Sequence, residues 1–93
     1  MISLADLNLK CVKEIVDYLY LHAQNTNIMY FVDDFPFFDD YSHEDMNFAI
    51  KSLVKNGYVL FDKIDGNNTT RYKVGKLTSI GQEAHQQFSN SHF

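Results

Sequence analysis

The stretch from Tyr41 to Leu60 constrains the fold more tightly than any other part of the chain. It reads, in order, as a helix start, an amphipathic helix, a helix stop and the lead into a strand. Ser42 is a strong N-cap, because its side-chain oxygen can accept a hydrogen bond from a first-turn amide that the helix leaves unpaired. Asp45, three residues on, makes a variant of the capping box, and Tyr41 with Met46 has the spacing of a hydrophobic staple. Met46, Ala49, Ile50, Leu53 and Val54 fall on one helical face, leaving Glu44, Asn47, Lys51, Ser52 and Lys55 on the other. Gly57 follows Lys55-Asn56 and is placed to take the left-handed conformation that ends a helix. The spacing predicts a helix over residues 43–56.

Two strands are expected next, over 58–64 and 71–77, around a polar tip Asp65-Gly66-Asn67-Asn68-Thr69-Thr70. In the second, Tyr72 and Val74 point one way while Arg71, Lys73 and Gly75 point the other. Upstream, Val12, Ile15, Val16 and Leu19 predict a first helix over about 9–23, capped by Asn8 and preceded by a short apolar arm at 1–7 with Ile2, Leu4 and Leu7. Downstream, Thr78 is expected to cap a last short helix with Ile80, Ala84 and Phe88 on one face, and 89–93 to form a frayed tail. Between the first two helices, Ile28-Met29-Tyr30-Phe31-Val32 has strand composition, and Pro36 forbids a regular helix beyond a first turn. A short, irregular helix is expected there. The sum is an α+β chain, one domain over 1–93, with three to four helices and a two- or three-stranded antiparallel sheet. Helix followed by hairpin in this order is how a small winged helix-turn-helix domain reads.

Ninety-three residues suffice for one domain that buries about 60–65% of its unfolded surface. Fourteen Phe and Tyr residues offset the modest length, each ring burying roughly 150–250 Å². The single cysteine, Cys11, excludes an intrachain disulfide and a multi-cysteine zinc site, and its place in an amphipathic helix makes it a buried, inert residue. No apolar run approaches the roughly 18 residues of a membrane span, and the N-terminus lacks the plan of a signal peptide, so a cytoplasmic location is the default. The net charge of −4 argues against strong non-specific nucleic-acid binding. Its distribution is uneven: residues 1–50 hold two lysines against nine acids, and residues 51–93 hold five lysines and one arginine against three. Such asymmetry marks a polar binding surface or arises by chance in a short chain.

Catalytic motifs are absent: there is no glycine-rich phosphate loop, no nucleophile elbow and no paired-histidine zinc motif. His22, His43, His85 and His92 are scattered without ligand spacing, and His43-Glu44-Asp45 lies in a first helical turn, where the macrodipole stabilises acids without any function. No cofactor or metal is expected. The most unusual composition is Asp33-Asp34-Phe35-Pro36-Phe37-Phe38-Asp39-Asp40-Tyr41. Either the rings fill the core and the aspartates keep an irregular segment solvated, or the rings are exposed anchors of a protein-binding edge. Nucleic-acid contacts would rest on Asn47, Lys51 and Lys55 of the helix, with Lys63, Arg71 and Lys73 of the hairpin on phosphate. Against this, Glu44 and Asp45 sit at the helix end that normally enters the groove. The bland alternative is that the lysines are ordinary solvated residues.

From Asn8 to about Phe88 the chain resembles short phage and prophage proteins grouped as a domain of unknown function. The motifs that carry this are Tyr41-Ser42-His43-Glu44-Asp45-Met46-Asn47-Phe48-Ala49-Ile50-Lys51-Ser52-Leu53-Val54-Lys55-Asn56-Gly57-Tyr58 and Leu77-Thr78-Ser79-Ile80-Gly81-Gln82-Glu83-Ala84. The second resembles the Leu-Thr-x-x-Gly start of the closing helix in that group and in many winged-helix proteins. The resemblance implies a winged helix of phage or mobile-element origin in a low-GC bacterium, and brings no catalytic residues with it. The acidic run at 33–40 lies outside its motifs.

Two functions from different classes remain open. One is a non-enzymatic phage-type regulator or accessory factor that binds double-stranded DNA through Asn47, Lys51, Lys55, Lys63, Arg71 and Lys73. The other is an anti-defence (anti-CRISPR or anti-restriction) inhibitor or adaptor. It would occupy a basic surface of a host nucleic-acid-binding protein with Asp33, Asp34, Asp39 and Asp40, anchored by Phe35, Phe37 or Phe38. An enzyme ranks a distant third. The apolar arm at Ile2 and Leu4 leaves room for a homodimer.

Overall fold

A computed structural model describes the backbone of residues 4–90 and the side chains of residues 10–88. In chain order it contains α1 (Leu4–His22), two single turns of 3-10 helix (Val32–Asp34 and Phe38–Asp40), α2 (His43–Lys55), β1 (Val59–Gly66), β2 (Thr69–Leu77) and α3 (Ser79–Asn90). The architecture is α+β, with three α-helices and one two-stranded antiparallel sheet.

The first helix begins at Leu4 rather than near residue 9. Ala5, Leu7 and Leu9 are strong helix formers, and the interior cost of Asn8 is well under about 1 kcal/mol, so the helix runs through the expected cap. Residues 4–7 thus belong to α1 and not to an arm, and Ile2 lies outside the described residues. Cys11, Ile15, Val16, Leu19 and Ala23 form the buried stripe of α1, and it meets Met46, Ala49, Ile50 and Leu53 of α2. The ends of α2 are built by local chemistry. The Asp45 amide donates to Ser42 Oγ at 3.0 Å. At the other end Gly57, at φ 71°, donates to the Val54 carbonyl at 3.1 Å, and Tyr58 donates to the Leu53 carbonyl at 3.0 Å. Those two bonds are a Schellman motif, which turns the chain from α2 directly into β1. The Tyr41 hydroxyl donates to Glu14, tying the start of α2 to α1.

The hairpin is longer than its sequence suggests. Its ladder runs out to Gly66 opposite Thr69, so the expected six-residue tip shrinks to a two-residue turn, Asn67-Asn68, with Asn68 at φ 66°. Asn tolerates that conformation better than most residues, which lets the second turn residue close the hairpin. Residues 60–71 are all exposed, and of these Thr70 and Arg71 still border α2. Only Val59, Val74, Gly75 and Leu77 of the two strands are buried.

The strand expected over 28–32 reduces to one bridge, Tyr30 to Val74, with reciprocal backbone bonds of 2.8 and 2.9 Å. It cannot lengthen, because β2 is irregular opposite Leu60 on one side and the Val32–Asp34 turn begins on the other. Past it, Phe35 and Phe37 fold inward and pack with Tyr18 and Tyr30 at centroid separations of 5.4 to 5.9 Å. Gln24 completes the frame: its side-chain amide gives and receives a bond with Leu77 of β2, at 3.3 and 3.0 Å, as a strand residue would.

Thr78 caps α3 as expected, accepting from the Gly81 amide at 3.1 Å. The buried stripe differs from the expected one. Ile80 is 56% exposed, and Gly81, Ala84, His85 and Phe88 face inward instead. Those four are spaced three, one and three, which holds one helical face, whereas 80, 84 and 88 drift around the helix. Residues 89 and 90 continue α3, so the expected tail begins no earlier than residue 91, beyond the described residues.

Candidate nucleic-acid interface

Asn47, Lys51 and Lys55 are all exposed and follow one another at four-residue steps along the outer face of α2. Lys55 also sits in the last turn, where a cation is favoured by the helix dipole, so its place has a structural reason as well. Across from them lies β2. Asn47, Ile50 and Lys51 line one shallow cleft together with Val32 and with Thr70, Arg71 and Tyr72. The structure therefore joins α2 to the hairpin in a single surface.

The hairpin cations divide between its two sides. Lys63 is the register partner of Tyr72, on the side that turns toward α2. Arg71 and Lys73 alternate with Tyr72 along the strand, and Arg71 also borders the cleft with α2. The Arg71 guanidinium lies 4.1 Å from the centroid of the Phe31 ring, and the Lys73 ammonium 4.9 Å from it. Arg71 also forms an ion pair with Asp33 at 2.9 Å, both side chains about half exposed. A surface pair of this kind contributes on the order of 0–1 kcal/mol. Neither Phe31 nor the Arg71–Asp33 pairing was legible in the sequence, since 38 residues separate the partners and no periodicity links them.

The acidic-aromatic run sorts into two layers. Asp33, Asp34, Asp39 and Asp40 are exposed, and Phe35 and Phe37 belong to the core. Phe38 is half-buried and stacks on His43 at 4.6 Å. Phe35 and Phe37 are therefore not anchors for a partner in this conformation, which corrects that part of the inhibitor expectation. The cause is the absence of a regular element over 35–37: an irregular segment can turn successive rings inward, and burying each ring contributes about 1.5–3 kcal/mol. Asp34 has a local task as well, accepting from the Phe31 amide at 2.9 Å.

Two further clusters hold the body together. Cys11 is fully buried, with its sulfur 3.3 Å from that of Met46. Burial first, and the nearby Asp45 and Glu14 charges second, push its thiol up to about 12. A thiol so held is inert near neutral pH. Asp17 lies 3.4 Å from Lys13 and 3.2 Å from His85, whose ring stacks on Tyr20 at 4.1 Å, fastening α3 to α1. Among the described residues no three His, Cys, Asp or Glu side chains are grouped to hold a metal ion, and no helix is long and apolar enough to cross a membrane. Compared with known proteins, the chain matches no protein-family model, no curated protein and no solved structure.

Proposed function

We propose that this chain is a non-enzymatic winged-helix domain of the phage type that binds duplex DNA, with α2 as the recognition helix and the β1–β2 hairpin as the wing. The order of elements supports it: α1, a minimal first strand at Tyr30, irregular turns, α2, then a hairpin whose second strand carries the Tyr30 bridge. One observation carries the functional half. Asn47 and Lys51 of α2 share a cleft with Thr70 and Arg71 of the hairpin, so one surface offers a polar side chain to base edges and cations to phosphate. With few arginines to read guanine, most of the affinity comes from the backbone and falls steeply with salt.

Fluorescence anisotropy with a short duplex of random sequence tests this. Binding is expected at low salt, with Lys51→Glu and Arg71→Glu each weakening it and flattening its salt dependence. Wild-type affinity in both variants removes α2 and the hairpin from the interface.

The joint exposure of Asp33, Asp34, Asp39 and Asp40 favours a second function, an anti-defence inhibitor or adaptor on a basic host surface. In it Phe38 is the one ring of the three still offered at the surface. A partner captured from host lysate and lost on changing those aspartates to asparagine supports it.

A further inference from the structure

At Arg71, on the rim of the cleft with α2, the hairpin carries an arrangement that the proposed interface leaves unexplained. Two cations, Arg71 and Lys73, gather at one aromatic ring, Phe31, with centroid distances of 4.1 and 4.9 Å. Their charged centres lie no farther apart than the sum of those distances, close enough to address one phosphodiester or two neighbouring ones. Like charges held together are unfavourable unless an anion answers them. One does: the Asp33 carboxylate, 2.9 Å from the guanidinium. Asp62 is the register partner of Lys73 across the ladder, and the ion pair made by Asp33 is with Arg71.

Each part of the arrangement has a cause in the chain. Arg71 and Lys73 are two residues apart in a strand, so both point to the same side. Phe31 follows Tyr30, the residue bridged to Val74 of β2, which sets its ring beside them. Asp33 stands in the 3-10 turn that begins at Val32, and its carboxylate meets the guanidinium that lies on the ring. A guanidinium stacked on an aromatic face is held in one orientation with its donors still available, which suits it to a planar or tetrahedral oxyanion.

We infer that Phe31, Arg71 and Lys73 form a phosphodiester clamp on the wing, and that Asp33 is its built-in occupant, filling the place of a DNA phosphate oxygen until the backbone displaces it. This inference rests on the DNA-binding function proposed above and adds the regulation of that surface. Asp33 makes Arg71 unavailable to weakly or singly placed phosphates, so the wing engages only when α2 has already docked. The segment that carries Asp33 connects α1 to α2, which couples the clamp to the seating of α2 itself.

The test is Asp33→Asn, an exposed position whose replacement leaves the core untouched. With the short random duplex, the variant is expected to bind about two- to fivefold tighter at low salt, the range set by a half-exposed ion pair. The slope of log affinity against log salt should stay close to that of wild type, because Arg71 meets the same phosphate in both complexes once Asp33 is displaced. In an Arg71→Ala background the same substitution should leave the affinity unchanged, and Asp39→Asn in the native background should do likewise. Wild-type binding weakened by Lys51→Glu, with Asp33→Asn indistinguishable from wild type, overturns the clamp and leaves the DNA-binding function standing. Absence of binding in both wild type and Asp33→Asn overturns the two together. Binding that appears only in Asp33→Asn supports the clamp in its strongest form.

Discussion

Replacing Gly81 with alanine sets two physical effects of opposite sign against each other. Gly81 lies in the first turn of α3, where a helix-favouring alanine gains about 1 kcal/mol in the absence of tertiary contacts. A Cβ built there, however, falls 1.9 Å from the Tyr58 carbonyl oxygen and 2.8 Å from its carbon. Both atoms are backbone, fixed by the Schellman turn that ends α2, so the neighbour has no rotamer by which to yield. The helix must move, and its start is pinned at the same place: the Thr78 amide donates to the Tyr58 carbonyl at 3.0 Å, and the Thr78 hydroxyl to the Gly57 carbonyl at 2.6 Å. Overpacking costs about 1–3 kcal/mol. Weakening the two bonds adds about 1 kcal/mol each. After the propensity gain is subtracted, a net loss of about 2–4 kcal/mol remains, out of the roughly 5–15 kcal/mol typical of such a domain. At about 4–8 °C per kcal/mol, the melting temperature drops by about 8–32 °C. Thermal melts followed by far-UV circular dichroism, with urea titrations alongside, read this directly. A Gly81→Ala protein as stable as wild type, or more stable, refutes the docking of α3 described here.

The core and its titratable groups give two further expectations. Phe35→Ala should cost about 3–5 kcal/mol and Phe38→Ala distinctly less, because only the first ring is fully enclosed; equal urea midpoints for the two variants contradict the layering of the acidic-aromatic run. Native protein at pH 8 should resist iodoacetamide at Cys11 and become labelled once urea unfolds it. The pH dependence has a definite sign. The Cys11 thiol rises from 9.0 to about 12 on folding, and the Tyr30 and Tyr41 hydroxyls are also raised, chiefly by burial. The folded state therefore holds protons that the unfolded chain releases first, so stability is full below about pH 9 and declines as pH rises toward 12. Urea midpoints that hold steady across that interval contradict the burial of these groups.

What the sequence made legible is what local chemistry builds. Ser42, Gly57 and Thr78 each act within a few residues of themselves, and each caps or ends a helix where its residue type says it should. The exposed face of α2, with Asn47, Lys51 and Lys55, follows from helical period alone. Expectations failed where distant residues decide. Ile28 to Val32 has strand composition, but a strand needs a partner, and Tyr30 alone of these residues bridges to β2, at Val74. Ile80 looked like a core residue by spacing from Ala84, yet the close approach of Gly81 to Tyr58 rotates the buried face by one position. At the candidate interface, Arg71 was legible as a cation and not as a paired one. Its tie to Asp33 joins two segments 38 residues apart, which the Tyr30–Val74 bridge brings together.

A titration of isotopically labelled protein with short duplex DNA, followed by amide chemical shifts at low salt, tests the central claim most directly. DNA docking on α2 and the hairpin predicts progressive shifts at residues 47, 51 and 55 and at 63, 71 and 73, with the buried stripe of α1 unmoved. Shifts confined to the acidic residues 33–40, or none at all while the protein remains folded, would contradict it.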